Sequence, residues 1–221
     1  MTENIEKYYK NLYNQKKDNF NANGHKFEHL YNGRVKLVKE MLSRITNVEH
    51  DVLDAGCGNG TFFDSAFRDS IKIKRCDAID LLEEATKLVA KKYDEVHCGS
   101  TVELSNFFKK KYSVVNSMEI FSYIKPEERN KFFNEHINIL EKNGFFLLTV
   151  TNLESIYRKI LKPEADLFPY YFNKKTIIDG TKELNIELVA CKGVDIFNIV
   201  HNSSKMSDFF LYELSFLFKK N

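Results

Sequence analysis

Apolar and polar positions along this chain switch repeatedly between two spacings, and the switches divide it into elements. From Glu3 to Lys17 and again from Lys26 to Arg44 the apolar residues recur at helical intervals: Tyr9, Leu12 and Tyr13, then Leu30, Val35, Leu37, Val38, Met41 and Leu42. Two helices are therefore expected before the first strand, with Asn21-Ala22-Asn23-Gly24 as the turn between them. Short apolar runs follow at Val52-Leu53, Ile71–Asp80, Glu95–Cys98, Tyr112–Glu119 and Phe145–Thr151, then near Ile186–Val189 and at Leu214–Phe218. The fifth of these is continuously apolar, as a central strand covered on both faces should be. Helical stretches separate the runs: Phe62–Phe67, Leu81–Lys92 and Pro126–Lys142, the last with proline in its first turn and Asn143-Gly144 to close it. Strands alternating with helices predict an α/β fold with a doubly wound, seven-stranded, mostly parallel sheet behind the N-terminal helices.

The length of 221 residues suits one domain over 1–221, with residues 1–45 as a helical cap and 152–183 as an insertion before the sixth strand. Lys and Arg number 33 against 31 Asp and Glu, a balance that argues against a nucleic-acid groove or an anionic membrane surface. Four cysteines, Cys57, Cys76, Cys98 and Cys191, show no paired spacing, so neither a zinc cluster nor a dithiol centre is supported. The start Met1–Glu6 carries acids and no apolar core, and the longest apolar run is far too short to span a bilayer. A cytoplasmic protein, monomer or homodimer, without a metal and without a membrane partner, is the expectation.

The chemistry concentrates where the first strand ends. Asp51-Val52-Leu53-Asp54-Ala55-Gly56-Cys57-Gly58-Asn59-Gly60-Thr61 runs from strand through a glycine-rich turn into a helix N-terminus, whose free N–H groups favour an anionic group. A dinucleotide fingerprint needs G-x-G-x-x-G, but Thr61 stands at its third glycine; a phosphate loop needs G-K-[ST], which is absent. An acid at a strand end followed by G-x-G-x-G resembles the first motif of the class I S-adenosylmethionine-dependent methyltransferases, which implies a Rossmann-like methyltransferase fold with S-adenosylmethionine as cofactor. The zwitterionic methionine end of that ligand suits a loop offering both N–H groups and an acid.

A second acid fits the same resemblance. Cys76-Asp77-Ala78-Ile79-Asp80-Leu81 resembles the strand whose terminal carboxylate takes the ribose hydroxyls, about twenty residues after the glycines. Asp77 is the rival, but alternation along the strand turns it away from the pocket, so Asp80 is preferred. The family's adenine-binding acid after the third strand is replaced here by Ser100, next to Gly99. The resemblance thus implies Asp54, Gly56, Cys57, Gly58, Asp80, Leu81, Ser100 and Ser117 as cofactor-binding residues.

After the fourth strand, Asn116-Ser117-Met118-Glu119 lacks the prolines of the base-amine methylases and resembles instead the small-molecule methyltransferases, with Tyr123 where a histidine is common. Candidate general bases are Tyr123, His29 and His201; candidate acceptor contacts are Tyr31, Glu119, Tyr170 and Tyr171. The aromatics of the leading helices and of the segment Tyr157–Phe172 serve either as an acceptor lid or as packing residues. One competing motif, His25-Lys26-Phe27-Glu28-His29, matches the H-x-x-E-H zinc signature, but no third ligand follows in a recognisable pattern. The expected function is methyl transfer to an oxygen or nitrogen of a small-molecule acceptor. The alternatives are an RNA or protein acceptor and a non-catalytic binding subunit that keeps the fold.

Overall fold

The computed structural model describes residue 7 and residues 28–45, 47–157, 170, 172–204 and 207–221. Apart from residue 7, the helix expected over Glu3–Lys17 lies outside the described residues, as does the first part of the H-x-x-E-H motif. The described elements are helix α1 (Glu28–Leu42), strand β1 (Glu49–Ala55), α2 (Thr61–Ala66), β2 (Lys72–Asp80), α3 (Glu83–Val89), β3 (Glu95–Cys98), α4 (Leu104–Phe107) and β4 (Tyr112–Met118). They continue with α5 (Arg129–Asn138), β5 (Leu140–Thr151), α6 (Lys174–Thr181), β6 (Ile186–Val194), β7 (Val200–Asn202) and β8 (Glu213–Lys220).

All eight strands join one sheet in the order β3-β2-β1-β4-β5-β8-β6-β7. The first five pair in parallel, and β8 inserts antiparallel between β5 and β6. Strand order reverses between β1 and β4, the place where open α/β sheets leave a crevice beyond the strand carboxyl ends. The period of two along each strand sorts its side chains onto two cores. Leu53, Val115, Phe146 and Leu148 face one side with Phe121, Phe132 and Phe133, while Val52, Val114 and Leu147 face the other with Leu37, Met41, Phe63 and Phe67.

Two sequence expectations change. An eighth strand is present because Asp195 turns the chain back on itself: its Oδ1 accepts the N–H groups of Phe197 and Ile199, both at 2.9 Å, and Asn198 takes φ 61°. The resulting hairpin tip rests on α1 at Gly33, where an added Cβ would stand 2.4 Å from Asn198 Oδ1. The helix expected to reach Lys142 ends at Asn138 instead. Residues 140–144 enter β5 through an irregular register opposite Tyr112–Val114, with Asn143 at φ 62°.

His136 of α5 is fully buried, with its ring centroid 3.9 Å from that of Phe132 and 5.0 Å from that of Phe146. Burial lowers its pKa to about 4, so the folded chain refuses a proton that the unfolded chain takes near the ordinary value of 6.5. Its neutral form therefore costs nothing above that value, and stability falls as pH drops from there toward 4, by up to about 3 kcal/mol. Thermal unfolding at pH 7 and pH 4.5 should show this loss, and His136→Leu should flatten it.

Candidate active site

A cavity of about 270 Å³ opens beyond the carboxyl ends of β1, β2 and β4. Its floor is the glycine loop. Gly56 takes φ 89°, and a Cβ there would stand 2.2 Å from Ile120 Cγ1, so this position requires both a left-handed backbone and the absence of a side chain. The Gly56 and Cys57 N–H groups donate to the Ile79 carbonyl at 2.7 and 3.1 Å, tying the loop to the end of β2.

Asp80 closes that corner. Its Oδ2 accepts the Gly58 N–H at 2.9 Å and its Oδ1 the Leu82 N–H at 3.0 Å, which fixes the carboxylate and leaves lone pairs on both oxygens for hydroxyl donors. Burial raises its pKa, and these backbone donors pull it back. Asp77, three residues earlier, is fully buried and does not line the cavity. It accepts from Tyr112 Oη at 2.6 Å and from Arg75 Nε at 3.0 Å, and it pairs with Lys110.

Asp54, at the end of β1, also lines the cavity. Tyr93 Oη donates to its Oδ2 at 2.6 Å and Asn116 Nδ2 to its Oδ1 at 2.8 Å. Burial pushes its pKa up to about 6; the Tyr93 and Asn116 bonds restrain the rise and the Asp80 charge adds to it. Asn116 is 2% exposed, and its Oδ1 is buried without a hydrogen-bond partner among the described residues. An orphaned acceptor beside two acids, over a loop that admits no side chain, suits a ligand bringing an ammonium group and hydroxyls, and so fits an adenosyl amino acid.

The other sequence-named residues fall into three groups. Gly56, Cys57, Gly58, Leu81, Ser100, Glu119 and Tyr123 line the same cavity. Ser117 is fully buried and is not among the lining residues, because alternation along β4 turns it away from the face of Asn116. Tyr31 stands behind the wall: its hydroxyl donates to Ser65 Oγ at 2.8 Å and its ring packs edge-on against Phe62, which lines the cavity. Tyr170 lies under the Arg129 guanidinium, 4.8 Å from its ring centroid. Phe172 is buried 4.6 Å from Phe121, a core position. His201 sits on β7, bonded to Asp195 Oδ2 at 3.0 Å, and does not line the cavity. His29 lies on α1, with its side chain outside what is described, and Tyr171 lies outside the described residues.

Arg34 was not singled out by sequence reasoning, yet it lines the cavity from α1. It pairs with the fully buried Glu213 of β8, donates from Nε to Tyr212 Oη at 2.8 Å, and places Nη2 3.9 Å from Glu119 Oε2. No sequence spacing links a helix before the first strand to the last strand. A cation among the apolar helix positions Leu30, Tyr31, Leu37 and Val38 was the available signal.

Among the described residues, no group of three or more His, Cys, Asp or Glu is arranged to hold a metal ion. No helix there is long and apolar enough to cross a membrane. No curated protein matches the chain significantly by sequence. Residues 52–144 match a family model described as a methyltransferase domain. Among solved structures, the chain is similar to a SAM-dependent methyltransferase, possible histamine N-methyltransferase, of Thermotoga maritima, with a TM-score of 0.68, 16% identity and 99% of each chain covered. It is also similar to the N-methyltransferase NodS of Bradyrhizobium japonicum WM9 in complex with S-adenosyl-L-homocysteine, at TM-score 0.63 and 12% identity over 96% of this chain and 98% of that one. A third likeness is to magnesium protoporphyrin IX methyltransferase of Synechocystis PCC 6803 with bound SAH, at TM-score 0.60 and 14% identity over 86% of this chain and 84% of that one. At these identities the likenesses show the fold. Residues 52–144 thus match a methyltransferase domain, and the sheet that carries them has the fold of these solved structures.

Proposed function

We propose that the chain is a class I methyltransferase that transfers the methyl group of S-adenosylmethionine to a nitrogen or oxygen of a small-molecule acceptor. The observation that carries this reading is the wall beyond Asp54 and Asp80, where Phe62, Met118, Ile120 and Tyr123 give an apolar lining interrupted by Arg34 and Glu119. A concave, largely apolar space with a few polar groups is the usual form of a small-ligand site. The balanced net charge of +2 offers no polyanion surface.

When bound, the cofactor supplies a methyl group on a sulfonium that is already activated. The protein's part is then to orient, to exclude water and to manage the acceptor's proton. In this reading Asp80 receives the ribose hydroxyls, Asp54 and Asn116 face the ammonium, and Leu81, Ser100 and their neighbours hold the base. Tyr123 is the sequence-named base with a place on the cavity wall. The segments 1–45 and 152–183 are proposed to complete the acceptor side of one domain.

The proposal is tested by offering small amines, phenols, tRNA and denatured protein with S-adenosylmethionine and measuring S-adenosylhomocysteine formed. Turnover on the small acceptors is expected, and methyl label found on RNA or protein alone overturns the reading. A pH dependence follows from Asp54. Its ionised form pairs with the ammonium, so cofactor affinity is full well above pH 6 and falls as pH drops through that value, by about tenfold for each further unit. Calorimetric titrations at pH 7.5 and pH 5 should differ accordingly, and Asp54→Asn should remove the dependence.

A further inference from the structure

The charges lining the cavity are unbalanced in one direction. Four carboxylates, Asp54, Asp80, Glu119 and Glu128, stand against one guanidinium, Arg34. That guanidinium is itself neutralised from behind by Glu213, which is fully buried and not part of the cavity wall. Arg34 is therefore poorly placed to attract an anionic acceptor, and the charge left facing the cavity beyond the two cofactor acids is negative.

Glu119 is held for a purpose that its own contacts do not satisfy. It takes φ 58°, a left-handed conformation costly for a residue with a side chain. Its N–H donates to Thr149 Oγ1 at 3.0 Å, and its Oε2 accepts from Thr151 Oγ1 at 2.9 Å. One carboxylate oxygen is thus oriented by the protein. The other, Oε1, is buried without a hydrogen-bond partner among the described residues. A buried acceptor left in this state carries a desolvation cost that a ligand N–H would offset.

We propose that the acceptor is an amine, held through an N–H of its nitrogen by Glu119, with Arg34 as a positioning residue that fixes the Glu119 carboxylate and is kept from binding anions by Glu213. The assignment rests on the small-acceptor reading above and narrows it to one substrate class. Met118, Ile120 and Tyr123 beside Glu119 suit an apolar or aromatic body on that amine.

The test uses the full chain saturated with S-adenosylhomocysteine, so that binding is read without turnover. Phenethylamine, 2-phenylethanol and 3-phenylpropionate are titrated in calorimetrically, with tryptamine and putrescine widening the amine arm. At least one amine should bind tenfold or more tightly than the alcohol and the carboxylate. Glu119→Gln should weaken that amine at least tenfold while keeping S-adenosylhomocysteine affinity within twofold of wild type, which also verifies its fold. Equal or tighter binding of the alcohol or carboxylate, binding by no amine, or an unchanged amine affinity in Glu119→Gln overturns the assignment. The wild-type comparison stands even if the variant does not fold. Methylation of a phenol or alcohol without amine binding removes only the amine assignment, whereas absence of methyl transfer to any small molecule removes the broader reading as well.

Discussion

Asp80→Ala is expected to weaken S-adenosylhomocysteine binding by about a hundredfold while moving the melting temperature by only a few degrees. The ribose contact proposed here consists of two charge-assisted hydrogen bonds, each worth about 1.5–3 kcal/mol where partly buried, and a hundredfold loss corresponds to about 2.7 kcal/mol. Asp80 also fixes the Gly58 and Leu82 N–H groups, so its loss loosens the loop that the ligand must meet. Asp77→Ala should behave in the opposite way. It strips a partner from the fully buried Tyr112 and from the half-exposed Arg75 and Lys110, and should lower the melting temperature with little effect on ligand affinity of the folded protein. Calorimetry and thermal unfolding on the two variants separate the roles, and a larger affinity loss in Asp77→Ala at unchanged stability would reverse them.

Arg34→Ala carries the largest expected cost in stability. It leaves Glu213 fully buried without its cation, and breaking a buried pair from one side typically costs about 3–5 kcal/mol. For a chain of this size that lowers the melting temperature by roughly 10 °C. Burial raises the Glu213 carboxyl above the usual carboxylate range, and Arg34 pulls it back. Removing Arg34 takes away that restraint, so the variant's carboxyl rises further. A carboxyl raised in the folded state contributes stability at low pH that is lost as pH rises through its folded value. The deficit of Arg34→Ala should therefore stay level up to about pH 8, the folded value of the wild-type carboxyl, and widen above it. Arg34→Met combined with Glu213→Leu should recover most of the loss, since apolar replacement of a whole buried pair is often neutral. A single variant no less stable than wild type at pH 8 would contradict this account of the cluster.

The legible part of this molecule was the part written locally. Asp54, the glycines and Asp80 lie within one β-turn-α-β stretch, and the phase of β2 put Asp80 and Asp77 on opposite faces: Asp80 lines the cavity, and Asp77 is fully buried against Tyr112. Asn116 escaped notice as a lining side chain because its significance depends on Asp54 across the β1–β4 junction. Arg34 and Glu213 meet only through the insertion of β8 between β5 and β6, which no spacing encodes. The sixth and seventh expected strands were present, but the β6–β7 hairpin depends on the Asp195 side chain folding the turn, and its three-residue strand carries too short a pattern to read. The end of α5 was misplaced because Asn143-Gly144 signals a turn equally well at a helix end and at an irregular strand entry.

The most direct measurement of the central claim is a crystal structure of the full chain with S-adenosylhomocysteine bound. The account predicts the ribose hydroxyls on Asp80, the amino acid end over Gly56 beside Asp54 and Asn116, and the sulfur directed toward the wall formed by Met118, Glu119 and Tyr123. A nucleoside seated anywhere other than this cavity, or with its ribose away from Asp80, would contradict it.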